Sequence, residues 1–135
     1  MNPAHVNWLG ALVAALSAFL VGGVWYSPLL FARPWLAATK VAEAELGRGH
    51  VRVFGGAFVL ALVSAVNLAF FLAGGQPSLA WGVTAGALAG VGWVVTSLGI
   101  TYLFERRPLK LFLIDAGFHA VTFVVMGAIL GVWKA

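Results

Sequence analysis

The 135-residue chain has no cysteine, and Asp, Glu, Lys and Arg together make up only 9% of it. Without cysteine there is no disulfide framework and no thiolate metal or redox site. Soluble domains carry roughly 25% charged residues, so a charge-poor chain that is 62% hydrophobic cannot cover a water-exposed globule. Its mean hydropathy of +1.01 makes the same point. This composition also excludes a disordered tail, and a pI near 10.2 does not turn it into a nucleic-acid module. The net charge is only +4 and matters through its placement. What is left is a small integral membrane protein.

Charge is missing in long blocks. No Asp, Glu, Lys or Arg occurs in residues 1–32 or 53–104, and Asp115 alone interrupts 111–133. A helix crosses a hydrocarbon core of roughly 30 Å with about 20 apolar residues. The blocks therefore predict four spans at about 6–25, 53–72, 80–103 and 111–133, with a loop over 26–52. Gly74-Gly75-Gln76-Pro77-Ser78 supplies the turn inside the longest block. The expectation is an all-α, four-helix bundle in one transmembrane domain. A cleaved signal peptide is the rival reading of the first span, but Met1-Asn2-Pro3-Ala4-His5 carries no Lys or Arg and the apolar run is too long.

Basic residues favour the cytoplasmic side of short loops. Arg33, Lys40, Arg48 and Arg52 follow the first span, and Arg106, Arg107 and Lys110 separate the third from the fourth. Only Lys134 lies at the other end. That asymmetry predicts an inner-membrane protein with both termini outside. Trp and Tyr prefer the interface, and Trp8, Trp81 and Trp133 mark the outer boundaries while Trp25, Tyr26 and Tyr102 mark the inner ones. Trp93 alone is mid-span. Within the long loop, Ser27-Pro28 stops the first helix, and Trp35 to Leu46 reads as a short surface helix or as a solvated loop.

Helices in lipid associate through close backbone approach at small residues. Such residues recur every four positions at Gly10, Ala14, Ala18 and Gly22, at Ala57 through Ala73, at Gly82, Gly86 and Gly90, and at Gly127 and Gly131. A tight bundle is expected, with a face left over for a homo-oligomer. The two halves also look alike. Tyr26-Ser-Pro-Leu-Leu30-Phe31-Ala-Arg33-Pro34 parallels Tyr102-Leu103-Phe104-Glu-Arg-Arg107-Pro108, and Phe54-Gly-Gly-Ala-Phe58 parallels Ile114-Asp-Ala-Gly-Phe118. Two explanations stand side by side: tandem duplication of a helical hairpin, or shared grammar of one membrane interface.

Asp115 is the one acidic residue inside a span, and His119 shares its helix face four residues on. An ionisable group there is a functional candidate by default. Ser97 and Thr101 lie at matching depth on the third helix, and Ser17 on the first reaches the same level. Together these five residues are the expected polar patch. The sharp reading is a proton or cation relay from Asp115 to His119, whose imidazole titrates in the right range. The plainer reading pairs Asp115 with Arg106, Arg107 or Lys110, and His119 with a carbonyl or Ser97.

Other chemistry is thinner. No phosphate loop, Ser-His-Asp order or metal spacing occurs, and no cofactor is expected. Haem would need two axial histidines, whereas His5 and His50 lie at membrane edges and only His119 is internal, so a dimer would have to supply the pair. Asn67 fits interhelical glue better than a ligand. Glu105-Arg106-Arg107 could meet anionic headgroups, although a topology signal is the simpler meaning.

Trp25-Tyr26-Ser27-Pro28-Leu29-Leu30-Phe31, Arg107-Pro-Leu-Lys-Leu-Phe-Leu-Ile114 and the stretch to Phe118-His119 resemble the small bacterial membrane proteins grouped as domain of unknown function 1761. The resemblance implies a four-helix membrane protein and carries no activity. It does mark Tyr26, Pro28, Asp115 and His119 for testing. Arg33, Arg106, Arg107 and Lys110 complete the expected cytoplasmic interface. The functional expectation is a transporter or channel subunit using the Asp-His patch, with a non-catalytic scaffold or accessory subunit as the competing class. A membrane enzyme comes third, for want of a nucleophile or metal set.

Overall fold

The computed structural model describes residues 3–75 and 77–133, with Glu43 described by its backbone alone. A 3-10 turn at Pro3–His5 leads into α1, Trp8–Trp25. Two short helices follow, α2 at Ala32–Thr39 and α3 at Glu43–Leu46. The remaining spans are α4, His50–Leu72, α5, Leu79–Phe104, and α6, Leu109–Val132. These helices and α1 are long and apolar enough to cross a membrane. The four-helix, all-α bundle expected from the charge gaps is the fold. Lys134, Gln76 and Met1-Asn2, which entered the topology argument, lie outside the described residues.

Local chemistry sets the helix ends. Asn7 caps α1 by accepting from the Gly10 amide at 2.8 Å, and Ser78 caps α5 by accepting from Trp81 at 3.1 Å. Asn7 also donates to the Trp133 carbonyl at 3.1 Å, which ties the start of α1 to the end of α6. At its other end α1 stops where Pro28 cannot continue the ladder. Between Trp35 and Leu46 the chain forms the end of α2 and all of α3, separated at Lys40 by left-handed backbone.

The tightest contact joins α5 to α6. A Cβ on Gly82 would overlap the Gly127 carbonyl, and one on Gly131 would overlap the Ser78 carbonyl. Gly86 and Gly90 lie as close to Phe123. The glycine series of the third and fourth spans therefore meet each other. Helix α1 packs against both α4 and α6, burying Gly10, Ala11, Ala14 and Ala15. On α4 only the upper part of the alanine series, Ala65 and Ala69, is buried, and Ala57 is exposed.

Helix α5 is not uniform. Residues Gly90–Val95 form a π-helical turn in mid-span. Such a turn uses an extra residue and rotates everything after it relative to a continuous α-helix. This rotation decides which side chains reach the site.

Candidate functional site

The site lies at the end of the bundle that carries Arg33, Arg106, Arg107 and Lys110, called the basic end below. Asp115, half-buried in the second turn of α6, accepts one hydrogen bond on each carboxylate oxygen. Tyr26, the residue that caps α1, donates to Oδ1 at 2.7 Å, and Tyr102 of α5 donates to Oδ2 at 2.5 Å. The Trp25 indole N–H adds a bond to the Ile114 carbonyl at 2.9 Å. Three spanning helices are thus fastened at one carboxylate.

Rings close the surroundings. Phe118 lies 5.4 Å from the Tyr26 ring and Trp35 of α2 lies 5.9 Å from it, edge on. The Arg107 guanidinium sits 5.0 Å above the Tyr102 ring while pairing with Glu105 at 2.7 Å. Burial first, then the bond to Asp115 and the negative charge there, holds the Tyr26 phenol well above its ordinary pKa. A protonated phenol is the form that can donate to the carboxylate.

The expected partners of Asp115 are elsewhere. Ser97 and Thr101 are exposed, and the Thr101 hydroxyl donates to the Ser97 carbonyl at 3.3 Å. Ser17 donates to its own helix at the Ala14 carbonyl, 2.5 Å away. The π turn bears on this along α5. A regular helix that points Gly82, Gly86 and Gly90 at α6 would bring Ser97 round to the same side and leave Tyr102 opposite. With the extra residue spent, Ser97 turns off that side and Tyr102 turns toward Asp115, while Gly99 packs against Phe112.

Neither basic loop supplies the counter-charge of the plainer reading. Arg106 donates to the Phe104 carbonyl at 2.9 Å, Arg107 pairs with Glu105, and Arg33 and Pro28 are exposed. Lys110 lines a shallow groove with Phe31, Pro34, Leu113 and Ile114. His119 is half-buried one turn beyond Asp115, its ring 5.1 Å from Phe118, with no hydrogen-bond partner among the described residues. One further turn along this face, Thr122 is only 4% exposed and its hydroxyl has no hydrogen-bond partner among the described residues. Sequence reasoning missed Thr122, although its spacing of seven from Asp115 places it on the same face. It also left Tyr102 as an interface marker. The parallel between the Tyr26 and Tyr102 segments was the signal that could have joined the two phenols.

A cavity of about 640 Å³ is at the opposite end, between His5, Asn7, Leu72, Gly74, Pro77 and Trp133. No group of three His, Asp or Glu side chains suited to a metal occurs among the described residues.

The family model described as protein of unknown function DUF1761 matches residues 9–131, from the first turn of α1 to the last turn of α6. The chain belongs to that family. As a DUF1761 member it inherits no assigned chemistry, so function rests on the site itself. Neither the curated proteins nor the solved structures contain a match to the chain.

Proposed function

We propose that this DUF1761 protein is a non-catalytic scaffold or accessory subunit of the membrane. The observation that supports this is the doubly held carboxylate: Asp115 has a phenol on each oxygen, and the three groups come from three different spanning helices. A carboxylate desolvated in a span is costly, and the two phenols offset that cost by fixing the mutual positions of α1, α5 and α6. On this reading the basic end faces the cytoplasm and both termini lie outside the inner membrane, as the positions of Arg33, Lys40, Arg48, Arg52, Arg106, Arg107 and Lys110 favour.

One observation favours a second reading, a proton or cation path. Asp115, His119 and Thr122 line one face of α6 in sequence order, and the Thr122 hydroxyl has no partner among the described residues. Proton flux into liposomes, with the native protein and Asp115→Asn, separates the two. The scaffold reading expects no flux above empty liposomes and a less stable Asp115→Asn protein. Flux in the native protein that Asp115→Asn abolishes, with the fold intact, would overturn the scaffold in favour of the relay.

A further inference from the structure

Helix α4 is held chiefly by α1 and touches α5 and α6 more lightly. Much of its circumference faces outward. Along that side Val53, Gly56, Leu60, Val63 and Asn67 are all exposed, Leu60 at 69% and Val63 at 54%. They succeed one another by three, four, three and four residues, the spacing of a seam along which two helices wind about each other. The first four are at home against lipid, but Asn67 is a polar residue in an apolar medium.

Asn67 lies inside the span, five residues before the end of α4. The Trp8 ring, an interfacial marker, meets the Phe70 ring at 6.1 Å. Asn67 lies almost one turn farther into the membrane than Phe70, and its side chain is short. Its Nδ2 donates to the Val63 carbonyl at 3.1 Å. The second amide hydrogen and the Oδ1 acceptor have no partner among the described residues, and acyl chains offer none.

We infer that this face docks a second copy of the chain, with Asn67 meeting Asn67. A carboxamide carries both donor and acceptor, so it is complementary to itself. A twofold axis along the membrane normal sets the two α4 helices parallel and brings both amides to one depth. Any other partner would need its own polar group at that level. At Gly56 there is open space where a Cβ would stand, so the two backbones can draw close toward the basic end.

The cysteine-free sequence makes the test direct. Single variants Leu60→Cys, Val63→Cys, Leu20→Cys and Leu88→Cys, all with Asn67 in place, are reconstituted in liposomes and oxidised, and linked dimers are read on a gel. Leu20 and Leu88 are as exposed as the seam but lie on α1 and α5. Cross-linking at 60 and 63, with 20 and 88 remaining monomeric, is the expected result. No linked dimer at 60 or 63, or equal linking at 20 and 88, would overturn the seam. Adding Asn67→Val to Leu60→Cys, at dilute protein-to-lipid ratios, should reduce linked dimer by about three- to tenfold. An unchanged yield would show that the amide does not hold the pair.

Discussion

At the level of single residues, the Asp115 clamp makes specific demands. Hydrogen bonds to a charged group contribute about 1.5–3 kcal/mol, so Tyr26→Phe and Tyr102→Phe should each destabilise the protein by roughly that amount. The double variant should depart from the sum, because both phenols bond one carboxylate and the two losses are coupled. Unfolding by SDS in mixed micelles measures all three, and Phe variants that unfold with the native protein would deny the clamp. There are only 2 tyrosines in the chain. In Tyr102→Phe the remaining phenol is Tyr26, whose pKa is raised from 10.0. Its bond to Asp115 is therefore intact below pH 10 and is lost only as the pH climbs through the raised value. Ultraviolet titration should show no tyrosinate at pH 10, where an ordinary phenol is half ionised.

At the level of helices, glycine position separates contact from mere composition. Gly82 and Gly127 face each other's backbone, with no flexible side chain between them to yield. Gly82→Ala or Gly127→Ala should therefore cost about 3 kcal/mol or more, at the upper end of overpacking. Gly55 on α4 has nothing near its missing Cβ, so Gly55→Ala should be neutral or stabilise by about 0.5–1 kcal/mol. The same SDS titration compares them, and equal losses at 82 and 55 would contradict the packing. The four-residue glycine spacing was readable in the chain and led to the expectation of a tight bundle, and the structure shows that the series of α5 and α6 meet each other. The π turn at Gly90–Val95 was not readable. Nothing in Gly-Val-Gly-Trp-Val-Val differs from an ordinary apolar run, and the turn begins at Gly90, where α5 packs against Phe123. That single insertion turns Ser97 off the α6 side and brings Tyr102 toward it.

At the level of the whole molecule, immersion has a direct optical readout. Trp93 is 62% exposed in mid-helix, and Trp8 lies at the termini end. In variants that retain one tryptophan, lipids brominated deep in their chains should quench Trp93 most strongly. Lipids brominated near the headgroup should quench Trp8 most strongly. Equal quenching of both by both lipids would remove the bundle from the membrane orientation described. The two halves of the chain also relate differently as a molecule than as a text. Tyr26 and Tyr102, matching positions in the two likenesses, converge on one Asp115, whereas the position matching Asp115 in the first half is Gly55. The site is therefore single even where the sequence looks doubled.

Where the spans lie follows from local composition, since burying an ionised side chain in lipid is costly and long charge-free runs leave little else to do. Helix stops at Ser27-Pro28, and the small residues that permit close approach, are equally local properties. The partners of Asp115 are not. They depend on the rotation of α5 about its own axis after the π turn and on the placing of the α1 end, both set by packing between helices distant in sequence. Charge scarcity determined that the chain has four helices long and apolar enough to cross a membrane. Only the assembled bundle decided that its lone membrane carboxylate is held by two phenols rather than by hydroxyls or an arginine.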